Sequence, residues 1–178
     1  MVNSAKHVLL IFLDGIGLGD NDPTINPFAA AHTPTLNSLA GGKPWLATTQ
    51  RTSTARSAFA PVDPRLDMPG RPQSASGQAA ILTGLNVPAL IGEHYGPRPN
   101  PAIRALLAED NLFKQVVAHG DTAALLEAYP PLFHSALTRG KRLPSSYQDA
   151  VLQAGLPLFD EAAVAAGNAM TVDWTGAA

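Results

Sequence analysis

The stretch VLLIFLDGIGLG, residues 8–19, decides which fold class the sequence predicts. Its first six residues are all apolar. The run is too short to cross a membrane and does not alternate with polar residues, so it predicts a strand buried on both faces. Such strands belong to parallel sheets covered by helices, where ligands bind beyond the carboxyl ends of the strands. Asp14 falls at that end, and its carboxylate is either a metal ligand or part of a solvated Asp-Gly turn.

The composition limits the classes of protein and of site. The chain has 178 residues, enough for one domain with a core, and only 15% of them are charged. The formal net charge of -2 argues against a protein that neutralises nucleic-acid phosphates. There are no cysteines, which excludes disulfides and zinc–thiolate sites. Because no segment approaches the length of a membrane span and none resembles a signal peptide, we expect a cytoplasmic protein without a membrane partner.

A second informative stretch, PQSASGQAAILTG, covers residues 72–84. The segment from Gln78 to Thr83 favours a helix that Gly84 ends, so Ser74 or Ser76 lies at or near the helix N-terminus. A hydroxyl there is beside free backbone N–H groups and the positive end of the helix dipole, which suits a phosphate group or a developing anion. The alternative role for Ser74 is a simple N-cap.

Most of the remaining sequence alternates between helical and strand-like segments. The pairs Asn-Pro at 26–27 and Thr-Pro at 33–34 each predict a capped helix that begins at the proline. Residues 86–100 predict a long loop that could border a site through residues 93–96, and residues 122–126 predict a second strand. Further helices are predicted over 101–107, 111–118, 130–137, 147–154 and 160–166. The alternation favours an α/β fold with a mostly parallel sheet flanked by helices.

Taken together, three motifs resemble the N-terminal half of the alkaline phosphatase superfamily. The nearer branch is that of cofactor-independent phosphoglycerate mutase and phosphopentomutase. The motifs are the apolar strand followed by Asp-Gly-x-Gly in residues 10–19, Asn-Pro and then Thr-Pro-x-Leu-x-x-Leu in residues 26–39, and residues 74–84. They occur in the order and spacing of that family and cover roughly the first half of the chain.

The resemblance implies a two-metal phosphoryl-transfer site on an alkaline-phosphatase-like α/β fold. Asp14 matches the first metal ligand of the family, and Ser74 matches the nucleophile, which also contacts a metal. Gly77 agrees with the mutase form of this helix, whereas Gln78 stands where the mutases carry His. The expected cofactors are two divalent ions, Mn²⁺ or Zn²⁺ with Mg²⁺ as an alternative, and the expected substrate is a small phosphorylated compound. Coordination of a serine hydroxyl to such an ion makes its alkoxide accessible near neutral pH.

The main departure concerns the other metal ligands, which the family takes largely from its C-terminal half as Asp and His residues. Here none of the five histidines directly follows an Asp. The ending TVDWTGAA, residues 171–178, lacks a helix stop or a polar tail. We therefore expect residues 1–178 to be the N-terminal portion of a single α/β metalloenzyme domain. Its sheet would be incomplete at the C-terminus, and the rest of the site would come from a missing C-terminal half or a complementing chain.

The expected function is metal-dependent phosphoryl transfer through a serine nucleophile, by a phosphatase or phosphomutase-like enzyme. These residues alone are expected to be inactive because Asp14 and Ser74 are too few to hold two ions. The alternative is a non-catalytic domain of the same fold that binds a phosphorylated metabolite or a protein partner. A sulfatase is disfavoured because the Cys/Ser-x-Pro-x-Arg motif is not seen at Ser74.

Overall fold

The computed structural model describes residues 6–171, which divide into two compact units between Asp63 and Pro64. The architecture is mixed α/β, as expected, with helices and two small sheets of two strands each. A large parallel sheet is not present within the described residues. Of the helices between residues 6 and 171, none has the length and apolar character needed to cross a membrane. Residues 172–178, most of the ending that suggested an interrupted chain, lie outside the described residues.

The first unit contains two short helices and a small hairpin. Both helices begin at the predicted prolines, and Asn26 caps the first by accepting the Phe28 N–H at 3.1 Å. Thr33 does not act as the predicted side-chain cap, since its Oγ1 lies 3.3 Å from Asn37 Oδ1 instead. The elements are α1 (Pro27–Ala30), α2 (Pro34–Leu39), β1 (Thr52–Ser53) and β2 (Ala58–Phe59), with β1 and β2 antiparallel.

Residues 8–13 differ from the sequence-based prediction. They form no strand, and their side chains are exposed, from 38% for Phe12 to 94% for Val8. Within the described part of this unit, Gly19 and Leu46 form an isolated parallel β-bridge. This bridge lies after the apolar run. The prediction of a buried central strand is therefore not met in this structure. The physical reason is that such a strand needs neighbours on both edges and layers on both faces, which the described part of this unit does not supply.

The second unit is largely helical. Its elements are α3 (Ser74–Thr83), α4 (Val87–Ile91), α5 (Pro101–Glu109), α6 (Leu112–Ala118), β3 (Glu127–Ala128), α7 (Pro131–Thr138), α8 (Ser146–Gln153), α9 (Glu161–Ala165) and β4 (Met170–Thr171). The predicted helices are found within a few residues of their expected bounds. Helix α4 replaces the first part of the predicted loop 86–100, because Asn86 Oδ1 caps it by accepting the Ala89 N–H. The predicted strand at 122–126 is wrong; the strand lies at β3 and pairs in parallel with β4.

Helix α3 is the central element of this unit. It packs against α4, α5, α6 and α8, and its residues Ala75 and Ala79 are fully buried in the main core. Small side chains on this face let the neighbouring helices approach closely. The buried Ser146 hydroxyl of α8 donates to the Ala75 carbonyl oxygen at 2.8 Å. These contacts fix the first turn of α3, and with it the position of Ser74.

Candidate active site

Ser74 is the first residue of α3, as one of the two sequence-based alternatives predicted. The residue before it, Gln73, occupies the N-cap position without a side-chain cap bond, so Ser74 is not the cap. The Ser74 side chain is half-buried, and no residue between 6 and 171 hydrogen-bonds its hydroxyl. Likewise, within that range no carbonyl accepts the N–H of Ser74 or of Ala75. The first turn therefore presents a free hydroxyl beside two free backbone donors.

Ser76, the other candidate, is engaged in hydrogen bonds with Tyr95. It is fully buried, and its Oγ accepts the Tyr95 N–H at 3.0 Å. Its own N–H donates to the Tyr95 carbonyl oxygen at 2.9 Å, and its Oγ lies 3.4 Å from the Gln73 carbonyl oxygen. Ser76 thus joins the segment that follows α4 to the first turn of α3. A hydroxyl held in this way is a poor candidate for a nucleophile.

Gly96 lies against the start of α3. A Cβ at this position would be 3.2 Å from Ser74 N, 3.2 Å from Gln73 Cβ and 3.4 Å from Ala75 N. A Cβ there would be tightly placed against two backbone nitrogens and one side-chain carbon, so these neighbours would have to shift by a few tenths of an ångström. The absence of a side chain at Gly96 lets the chain lie close to these N–H groups without such a shift.

A cleft of about 450 Å³ lies next to this point, between residues 68–71 and 92–96, with Gln73 also in its wall. Its charged side chains are Arg71 and Glu93, both exposed, and the half-buried His94 stands beside them. His94 Nε2 lies 3.5 Å from the Met68 carbonyl oxygen, which joins the two walls. Residues 93–96 therefore border a cleft beside Ser74. The sequence reasoning missed Arg71, although an arginine just before a helix that begins with serine was a usable signal.

Asp14 lies in the first unit, whereas Ser74 lies in the second. Asp14 is exposed and forms a turn with Gly15, whose φ is +72°. Nearby in sequence, Asp22 accepts hydrogen bonds from the Thr24 hydroxyl and N–H, which lower the pKa of Asp22. The Asp22 carboxylate therefore stabilises its own turn.

The donor set for a metal is small. Within residues 6–171, no group of three or more His, Asp or Glu side chains is arranged to hold an ion. Asp14 and Ser74 both offer oxygen atoms, which suit Mg²⁺ and Mn²⁺ and are also accepted by Zn²⁺. The donor type of each of these two residues fits the expected ions.

A second cleft of about 380 Å³ lies in the same unit beside Tyr129. The Tyr129 ring stacks on Phe133 with 4.3 Å between ring centroids, and its hydroxyl donates to the Glu127 carboxylate. Burial is the main cause that raises the pKa of Tyr129 above its ordinary value of 10.0. Tyr129 consequently stays protonated and works as a packing residue with a hydrogen-bonded hydroxyl.

Comparisons of the chain with models of protein families, with curated protein sequences and with solved structures found no match.

Proposed function

We propose that the chain is part of a metal-dependent phosphoryl-transfer enzyme of the alkaline phosphatase superfamily, a phosphatase or phosphomutase-like enzyme acting on a small phosphate ester. The observation that carries the proposal is the first turn of α3. There the Ser74 hydroxyl has no hydrogen bond within residues 6–171 and stands beside two free N–H groups, while Ser76 is committed to Tyr95. A free hydroxyl and preorganised donors are what a phosphoryl-transfer nucleophile needs.

In this proposal Ser74 Oγ attacks the phosphorus atom of the ester. The bond from phosphorus to Ser74 Oγ forms and the bond to the ester oxygen breaks. The serine proton passes to solvent, and the departing oxygen takes a proton from solvent and leaves as the alcohol. The N–H groups of Ser74 and Ala75 donate to the non-bridging oxygens as negative charge builds on them. Water then removes the phosphoryl group from Ser74 in a phosphatase, or a substrate hydroxyl accepts it in a mutase. Divalent ions, when bound, would lower the pKa of the serine hydroxyl and neutralise phosphate charge.

Asp14 and Ser74 are proposed as the protein ligands that this chain contributes. The remaining ligands would come from a C-terminal half or from a complementing chain. The same added polypeptide would supply strands next to residues 8–13, so that this exposed apolar segment becomes a central strand of a mostly parallel sheet. We propose a single metalloenzyme domain completed in this way and located in the cytoplasm.

The second candidate is a non-catalytic domain of the same fold that binds a phosphorylated metabolite or a protein partner. The observation that favours it is the lack of a metal-binding group of three or more His, Asp or Glu side chains between residues 6 and 171. Such a domain would use the same free N–H groups of α3 to bind phosphate without transferring it.

The test compares the product of the complete gene with the 178-residue chain, using an aryl phosphate and added Mn²⁺ or Zn²⁺. We expect turnover by the complete product and none by the short chain. Asp14→Asn should lower metal content and rate by orders of magnitude, whereas Asp20→Asn, an exposed neighbour, should change neither. Unchanged metal content and rate in Asp14→Asn would exclude Asp14 as a ligand. A complete product that is inactive with both ions would favour the non-catalytic domain.

A further inference from the structure

The cleft beside α3 is larger than a transferred phosphoryl group requires. Its volume of about 450 Å³ falls in the range of small-molecule sites. It adjoins the proposed nucleophile, because Gln73 lines it and immediately precedes Ser74, while Gly96 lines it and lies against Ser74 N. A substrate whose phosphoryl group is at Ser74 would therefore have room for the rest of its structure in this cleft.

The walls of the cleft are held together by their own contacts. The Asn86 side-chain amide donates to the Leu66 carbonyl oxygen at 2.8 Å, just before residues 68–71 of one wall. On the other wall, the distance from His94 Nε2 to the Met68 carbonyl oxygen is 3.5 Å. A Cβ on Gly70 would stand 3.5 Å from His94 Cδ2, so the two walls approach each other closely at this point. The cleft is thus a formed feature of the second unit.

The cleft contains one positively charged side chain, Arg71, and one negatively charged side chain, Glu93. Arg71 is exposed, and within the described residues no carboxylate forms an ion pair with it. A guanidinium group with free N–H groups binds a carboxylate or a phosphate through two parallel hydrogen bonds. Glu93 is the opposing charge, and it repels any anion that enters.

We propose that this cleft binds the end of the substrate that is not transferred, and that this end carries an anionic group, a carboxylate or a second phosphate, held by Arg71. The inference rests on the proposed function, since it assumes that the transferred group is at Ser74. It assigns Arg71 as the residue that selects substrates with a second acidic group. Glu93 weakens the binding of that group and so limits affinity for free inorganic anions.

The test needs neither metal nor turnover. The ¹⁵N-labelled 178-residue chain is titrated at low ionic strength with inorganic phosphate and, separately, with malonate, while amide chemical shifts are recorded. We expect shifts concentrated at residues 70–75 and 92–96. Arg71→Gln should weaken binding about five- to tenfold, because it removes a charge-assisted contact. Glu93→Gln should tighten binding about two- to fivefold, and Arg51→Gln, an exposed arginine of the first unit, should leave it unchanged.

The outcomes separate this inference from the proposed function. The anion whose binding weakens more in Arg71→Gln identifies the second group: a carboxylate if it is malonate, a second phosphate if it is inorganic phosphate. Scattered shifts, or equal affinity in the wild-type chain and Arg71→Gln, would overturn the inference whatever happens at Ser74. Localised binding that depends on Arg71, in a protein that never becomes phosphorylated, would leave the cleft assigned and refute the proposed chemistry.

Discussion

Ser76 and Tyr95 exchange two hydrogen bonds: the Ser76 N–H donates to the Tyr95 carbonyl oxygen at 2.9 Å, and the Tyr95 N–H donates to Ser76 Oγ at 3.0 Å. This pair fastens the chain after α4 to the first turn of α3 and brings Gly96 against Ser74 N. It satisfies the third N–H of the helix and leaves the first two free. The Ser76 hydroxyl is therefore bonded to Tyr95, whereas the Ser74 hydroxyl has no hydrogen bond within residues 6–171.

The two serines should therefore differ in their effect on stability. Ser76→Ala removes the acceptor of the Tyr95 N–H inside a buried site, and we expect it to lower the free energy of unfolding by about 1–3 kcal/mol. Ser74→Ala removes no hydrogen bond within residues 6–171 and should change stability by less than about 0.5 kcal/mol. Urea denaturation of both variants measures the difference. Equal losses in the two variants would contradict the structural role of Ser76.

Two glycines close to the candidate site should respond in opposite directions. Gly96→Ala places a Cβ 3.2 Å from Ser74 N, and we expect a loss of about 1–3 kcal/mol in the free energy of unfolding. Gly77 lies within α3, and nothing stands within 4 Å of a Cβ at that position. Gly77→Ala should therefore add about 0.5–1 kcal/mol through the better helix propensity of alanine. Thermal or urea unfolding tests both variants, and a stabilised Gly96→Ala would contradict the close approach.

Gln78 carries a stability cost that a substitution can relieve. It is 8% exposed, and its Oε1 has no hydrogen-bond partner within residues 6–171. Gln78→Met keeps the length of the side chain and removes the buried acceptor, so we expect a gain of about 1 kcal/mol in the free energy of unfolding. The matched change Gln153→Met, at the exposed end of α8, should stay within about 0.5 kcal/mol of the original chain. A destabilised Gln78→Met would contradict the cost assigned to the buried Oε1.

Tyr129 should make the fold sensitive to alkaline pH. Burial raises the pKa of Tyr129 in the folded chain above the ordinary 10.0 that it has when unfolded. Its contribution to stability is therefore complete below pH 10.0 and is lost as the pH rises toward the folded pKa. We expect Tyr129→Phe to show a smaller loss of stability between about pH 8 and about pH 11 than the original chain. Urea denaturation across this interval measures it, and identical pH profiles would contradict the assignment.

Helices were predictable from the sequence where their signals are local. Proline fixes its own φ angle, so the starts at Pro27, Pro34 and Pro101 needed no knowledge of distant residues. Helix α4 also has a local start signal, because Asn86 is a typical N-cap residue. The prolines that follow Asn86 nevertheless favoured a loop. Strand formation at residues 8–13 depends on neighbours that the described part of the first unit does not contain, and no local pattern can supply them.

The candidate site was predictable only in part. The helix pattern of residues 78–83 placed Ser74 or Ser76 at or near a helix N-terminus, and the structure has Ser74 as the first residue of α3. Ser76 bonds to Tyr95, and Arg71 lines a cleft together with residues 92–96. Both arrangements bring together segments about twenty residues apart, so they depend on how the chain returns to α3 after α4. The roles of Asp14 as a metal ligand and of Ser74 as a nucleophile remain predictions.

The measurement that tests the central claim most directly is the location of a phosphoryl group on the protein during turnover. The product of the complete gene is mixed with an aryl phosphate and Mn²⁺, quenched in acid and digested, and the peptide that contains residues 74–76 is fragmented by mass spectrometry. We predict phosphorylation on Ser74, its loss in Ser74→Ala and its retention in Ser135→Ala, a serine of α7. A phosphoryl group on Ser76, its persistence in Ser74→Ala, or turnover without any phosphorylated serine would contradict the claim that Ser74 is the nucleophile.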